Sequence, residues 1–151
     1  MRAVVALGAN LEDPEAAVEL AISLLERSTD LIARSSLYST KPVGGPPQPD
    51  YVNAVCIIES DLPADDLLGL LHGIEQSMGR VRNERWGPRV IDLDLITYGT
   101  SVADDNELTL PHPRAHERAF VLQPWLEIDL DAELPPYGRV RDILAELPPS
   151  K

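Results

Sequence analysis

The chain holds one cysteine, Cys56, so no internal disulfide, no thiolate zinc site and no paired-cysteine redox centre can be built within a single copy. Lysine is nearly as scarce. Lys41 and Lys151 are the two present, and there is no Gly-x-x-x-x-Gly-Lys-Ser/Thr loop, so any nucleotide chemistry here is not of the P-loop kind. No stretch approaches the roughly 18 uninterrupted apolar residues of a membrane span. Met1 leads straight into a short apolar run without a signal-peptide cleavage pattern, and a cytoplasmic protein is expected. Positive charge is also in deficit: 13 Lys plus Arg against 25 Asp plus Glu give a net charge of −12, which argues against general binding to nucleic acid or an anionic membrane. A polyanionic ligand would have to meet a local positive patch.

What is present is 151 residues, 44% of them hydrophobic, enough for one domain with its own core and an expected flexible tail at 148–151. Arg2 to Leu7 is a short continuous apolar run ended by Gly8 and reads as a buried strand. Asp13-Pro14 signals a helix start, and Ala17, Leu20, Ala21, Leu24 and Leu25 recur at helical spacing to about Arg27. Leu31 to Tyr38 and Val52 to Glu59 favour strands; between them, Thr40 to Asp50 holds four prolines and two glycines, and Lys41 to Asp50 is a candidate substrate lid. Pro63 opens a second helix with Leu67, Leu68, Leu70, Leu71, Ile74 and Met78 on its buried side and Gly79 as its stop. Val90 to Ile96 and Glu107 to Leu110 read as strands, and Phe120 to Ile128 and Arg139 to Leu147 as short helices. Strands and helices mix without a regular parallel repeat, which predicts an α+β fold with a largely antiparallel sheet flanked by helices.

The chemistry concentrates on Asp92-Leu93-Asp94. Alternation puts Ile91, Leu93 and Leu95 on one face and both carboxylates on the other. Two readings of that pair are open: adjacent anions held for a divalent cation such as Mg²⁺ or Mn²⁺, or two carboxylates simply solvated on an open sheet face. The neighbourhood favours the first. Upstream, Arg80, Arg82, Arg85 and Arg89 face one acid, Glu84, a local excess of +3 in a chain of net charge −12. Downstream comes a second cationic cluster, His112, Arg114, His116 and Arg118. Guanidinium groups match phosphate oxygens, and Mg²⁺ between carboxylates and phosphate is the usual arrangement for phosphoryl transfer.

These residues resemble a known family. Arg85-Trp86-Gly87-Pro88-Arg89-Val90-Ile91-Asp92-Leu93-Asp94-Leu95-Ile96 is similar to the signature of the 6-hydroxymethyl-7,8-dihydropterin pyrophosphokinases of folate biosynthesis. Around it, in matching order, stand Gly8-Ala9-Asn10-Leu11, Thr40-Lys41-Pro42-Val43-Gly44, Pro49-Asp50-Tyr51-Val52-Asn53, Ile74-Glu75, Gly79-Arg80-Val81-Arg82, Leu110-Pro111-His112-Pro113 and Glu117-Arg118-Ala119-Phe120. Ala9, His72 and Pro113 depart from the residues common at those places.

The resemblance implies a ferredoxin-like fold and transfer of diphosphate from ATP to the pterin's hydroxymethyl group, releasing AMP. It implies two Mg²⁺ on Asp92 and Asp94, and ATP against Glu75, Arg82, Trp86, Arg89, Thr109, His112 and Arg118. Arg82, Arg89 and Asp94 would act in catalysis. Asn53 would read the pterin's amide edge, Tyr51 and Phe120 would sandwich its ring, and Thr40, Pro42 and Val43 would complete the pocket. ATP and a reduced pterin are then the expected partners. Two competing classes keep their tests: a nucleotidyltransferase would release pyrophosphate rather than AMP, and a non-enzymatic α+β binding module would show no turnover.

Overall fold

The computed structural model describes residues 1–10, 13–41, 49–79, 91–105 and 108–148. Strand β1 (Arg2–Ala9) is the expected apolar run and lies at the centre of the sheet. Helix α1 (Pro14–Ser28) starts where the Asp13 carboxylate accepts the Ala16 N–H at 3.2 Å, with proline in the first turn, where a missing N–H costs nothing. Its buried stripe is Ala17, Val18, Ala21, Ile22 and Leu25, a correction to the expected one. Leu20 is 51% exposed and Leu24 only flanks the core. The sequence carries two overlapping apolar stripes, and the sheet takes the one bearing the β-branched Val18 and Ile22.

The expected strand from Leu31 to Tyr38 is interrupted, giving β2 (Asp30–Arg34) and β3 (Tyr38–Thr40). Both pair antiparallel with successive stretches of β4 (Tyr51–Glu59). At the break, Ser35 donates its N–H to the Val55 carbonyl and accepts the Val55 N–H on its hydroxyl, both at 2.9 Å, so a side chain substitutes for one carbonyl of the ladder. Helix α2 (Ala64–Gly79) follows, then β5 (Asp92–Tyr98) on the far side of β1.

The sheet order is β2-β4-β1-β5, with every described pairing antiparallel. With β2 and β3 taken as one interrupted strand, this is the strand-helix-strand-strand-helix-strand arrangement of the ferredoxin-like α+β fold, as expected. Helices α1 and α2 cover one face, burying Leu25, Leu67 and Leu71 against Val5, Leu7 and Cys56. Burial pushes the Cys56 thiol up to about 12, so it packs as a small apolar group.

The other face is covered by α3 (Ala119–Ile128) and α4 (Val140–Glu146), both close to their expected bounds. Their core joins Leu122, Trp125 and Val140 to Val4, Val55 and Ile96. A short ribbon pairs β6 (Ala103–Asp104) with β7 (Thr109–Leu110), and another pairs β8 (Glu133–Leu134) with β9 (Gly138–Arg139). Glu107 and Val90, expected at strand ends, and residues 149–151 of the expected tail lie outside the described residues. No described helix is long and apolar enough to cross a membrane.

Candidate active site

On the α3 face, β1 presents Val4, Ala6 and Gly8 in turn, and as these side chains shrink the layer above them opens. A cleft of about 560 Å³ results, floored by Ala6, Leu7 and Gly8. The register fixes what flanks that floor. Gly8 pairs with Asn53 of β4 on one side and Asp92 of β5 on the other; Ala6 pairs with Val55 and Asp94. Asn53 and Asp92 therefore stand about 9 to 10 Å apart across one strand that carries no side chain between them. A Cβ on Gly8 would lie 3.1 Å from the Asn53 Oδ1, tighter than ordinary contact.

The first wall comes from β3 and β4. Thr40 and Tyr51 are register partners, as are Tyr38 and Asn53. Asn53 is 5% exposed and donates its Nδ2–H to the Thr40 hydroxyl at 2.7 Å, which leaves the amide oxygen on the cleft floor. Opposite, the chain entering α3 supplies Arg114, Glu117, Arg118 and Phe120. Arg118 lies 5.6 Å over the Phe120 ring and 4.0 Å from the Asp94 carboxylate, joining the aromatic wall to the acidic one.

The third wall is β5. Asp92 and Asp94 both line the cleft, while Leu93 and Leu95 are buried on the opposite face, so the predicted alternation holds. Beyond Leu95 a register shift makes Ile96 an extra residue that joins the core under α3. The Leu93 amide, between the two aspartates, donates to the Glu75 carboxylate of α2 at 2.8 Å.

His112 sits beside this strand, its N–H bonded to the Ile96 carbonyl at 2.9 Å. Its Nδ1 accepts the Arg114 N–H at 3.2 Å, an arrangement that requires an unprotonated Nδ1 and leaves Nε2 to donate. Burial holds the imidazole below its ordinary pKa, opposed by the Asp94 carboxylate and helped by Arg118 and Arg114.

The structure thus brings Thr40, Tyr51, Asn53, Asp92, Asp94, Arg118 and Phe120 into one cavity. Glu75, Thr109 and His112 do not line it; Thr109 lies in the β6–β7 ribbon. Pro42, Val43, Arg82, Trp86 and Arg89 lie outside the described residues, as does most of the loop expected to act as a substrate lid. Gly8, Arg114 and Glu117 line the cleft without having been given individual roles in the sequence reading. The signal for Gly8 was its place at the end of an otherwise bulky buried strand. Among the described lining residues, Asp92, Asp94 and Glu117 face Lys41, Arg114 and Arg118, so the cleft is charge-balanced in a chain of net charge −12.

The chain is similar to known proteins in both sequence and fold. A Haemophilus influenzae protein named 2-amino-4-hydroxy-6-hydroxymethyldihydropteridine pyrophosphokinase is 44% identical over 135 residues, covering 88% of this chain and 84% of its own. A protein of the same name from Pseudomonas aeruginosa is 40% identical over 149 residues, covering 97% and 92%. In fold, the chain is similar to a crystal structure of Plasmodium falciparum HPPK-DHPS with pteroate, with a TM-score of 0.71 at 12% identity. That match covers 96% of this chain and 42% of the other. The profile of the 7,8-dihydro-6-hydroxymethylpterin-pyrophosphokinase family matches residues 4–130, and the chain belongs to that family.

Proposed function

We propose that this chain, a transferase of the pyrophosphokinase class by its family, moves diphosphate from ATP to the hydroxymethyl oxygen of 6-hydroxymethyl-7,8-dihydropterin and releases AMP. The observation that carries this reading is the shared cavity. On one side of a side-chain-free strand position stand a buried amide and Tyr51, on the other stand two carboxylates, and the chain entering α3 adds Arg118 and Phe120 across the same cavity. A planar heterocycle needs aromatic faces and a few fixed hydrogen-bonding groups; a polyphosphate needs cations.

In this reading Tyr51 and Phe120 bracket the pterin, Asn53 pairs with its amide edge, and Thr40 holds Asn53 in place. Pro42 and Val43 complete the pterin pocket by resemblance. Arg118 meets phosphate from within the cavity, while Glu75, Arg82, Trp86, Arg89, Thr109 and His112 serve the nucleotide and its phosphates by resemblance. Asp92 and Asp94, two hard-oxygen carboxylates lining one cleft, suit Mg²⁺, which characteristically completes its shell with phosphate oxygens and water. Bound there, as two ions, Mg²⁺ would neutralise phosphate charge and acidify the attacking hydroxyl. The hydroxymethyl oxygen bonds to the β-phosphorus as the bond from that phosphorus to the AMP oxygen breaks. Asp94 is the acceptor for the hydroxyl proton.

The test is a product assay with ATP, Mg²⁺ and the hydroxymethyl-dihydropterin. AMP and pterin diphosphate in equal amounts are expected. Release of pyrophosphate with a nucleotidylated pterin would overturn the reading in favour of nucleotidyl transfer, and absence of turnover would leave a binding module.

A further inference from the structure

Glu127, near the end of α3, gathers donors from the short connection between β2 and β3. Its carboxylate accepts the Ser36 N–H at 3.0 and 3.2 Å, the Ser36 hydroxyl at 2.7 Å and the Tyr38 hydroxyl at 2.7 Å. The partners hold Glu127 below the usual carboxylate range, Tyr38 first and then Ser36, and Glu127 raises the Tyr38 phenol in turn. The fastening is therefore made by an ionised carboxylate on a protonated phenol.

Its place in the fold gives it a consequence for the cleft. Glu127 and Phe120 are seven residues apart on α3, two helical turns, so they share a stripe and lie about 10 Å apart along it. Tyr38 and Thr40 are two apart on β3 and share a face of the sheet. Helix and strand run side by side: at one end Glu127 grips Ser36 and Tyr38, and at the other Phe120 faces Thr40, Tyr51 and Asn53 across the cavity. Thr40, on the gripped strand, also holds the Asn53 amide.

We propose that Glu127 is a positioning residue for substrate recognition: by fastening α3 to Ser36 and Tyr38 it sets the width of the slot between Phe120 and Tyr51 and the seat of Asn53. This rests on the functional reading above and touches its pterin half alone. The nucleotide half, built on β5 and the segment around His112, has no described bond to Glu127.

The experiment compares the wild type with Glu127→Ala, Glu127→Gln and Tyr38→Phe. Pterin affinity is read by calorimetry in the presence of Mg²⁺ and a non-hydrolysable ATP analogue, KM is measured for each substrate, and Tm is followed for each variant. Glu127→Ala is expected to raise the pterin Kd and KM about ten-fold, as the loss of one or two hydrogen bonds would, with the KM for ATP unchanged. Glu127→Gln, whose amide oxygen still accepts, should recover most of that loss. Tyr38→Phe, which keeps the ring and deletes one bond, should show a smaller loss of the same kind and covers the case in which Glu127→Ala does not fold. Unchanged pterin constants in a folded Glu127→Ala, or both KM values rising together in step with a fall in Tm, would overturn the proposal. A wild type that binds no pterin at all would instead overturn the functional reading on which it rests.

Discussion

Asn53 is gripped from one side by the Thr40 hydroxyl and bounded on the other by Gly8, where no side chain stands. Gly8→Ala would place a methyl 3.1 Å from the Asn53 Oδ1 and push the amide off its seat. Pterin affinity is expected to fall roughly five-fold, the weight of one strained hydrogen bond, with nucleotide affinity unchanged in the same calorimetric titration. Asn53→Ala goes further, because the ligand's donor and acceptor lose their partner at a buried position. A loss of about 1 to 3 kcal/mol is expected, roughly ten-fold to more than hundred-fold in pterin affinity. Unchanged pterin binding in a folded variant would remove Asn53 from the site. Family resemblance marked Asn53 in the sequence, yet Gly8 had no role there. A missing side chain acquires meaning once the neighbouring strands are placed, and those neighbours lie some 45 and 84 positions further along the chain, at Asn53 and Asp92.

At the scale of elements, β5 was legible in the two-residue period of Ile91, Leu93 and Leu95, and that period correctly put Asp92 and Asp94 on one face. Its tie to α2 through the Glu75 carboxylate and the Leu93 amide was not legible, because a side chain bonding to backbone leaves no periodic trace. The same limit hid the interruption at Ser35, whose hydroxyl replaces a ladder carbonyl, and the two-residue strands of the β8–β9 ribbon, too short to show a period. The carboxylate pair is where the solvated and the metal-holding readings diverge. If the pair holds Mg²⁺, Asp92→Asn and Asp94→Asn should each cut turnover by roughly a hundred-fold or more. Helix content and Tm should stay near those of the wild type, because both side chains face a cleft rather than the core. Near-normal turnover in both variants would return the pair to a merely solvated role.

At the scale of the whole molecule, the two helical layers are stapled to the same edge of the sheet. On one face Glu19 of α1 binds Arg34 of β2, with oxygen–nitrogen distances of 2.7 and 3.0 Å; on the other, Glu127 of α3 binds Ser36 and Tyr38. Bonds to Arg34 hold Glu19 below the usual carboxylate range, and bonds to Tyr38 and Ser36 do the same for Glu127. A carboxyl group whose pKa is lower in the folded chain than in the unfolded one contributes stability above its unfolded value, and that contribution disappears as pH falls through the folded value. Acid should therefore loosen residues 34–38 from both layers at once, before it reaches the apolar cores, which hold no carboxylate among their buried members. Both carboxylates are well exposed, so solvent screens each staple and the effect on global stability is small. The local effect is the sharper readout. As pH is lowered below the ordinary glutamate range of about 4.3, the Ser36 amide should lose hydrogen-exchange protection relative to core amides such as Val5, after correction for intrinsic exchange rates. In a Glu19→Gln, Glu127→Ala double variant the same relative protection should already be reduced at neutral pH and change little on acidification. Equal loss at Ser36 and Val5 in the wild type would mean that acid unfolds the molecule as one unit and that the two staples carry no separate part of its pH response.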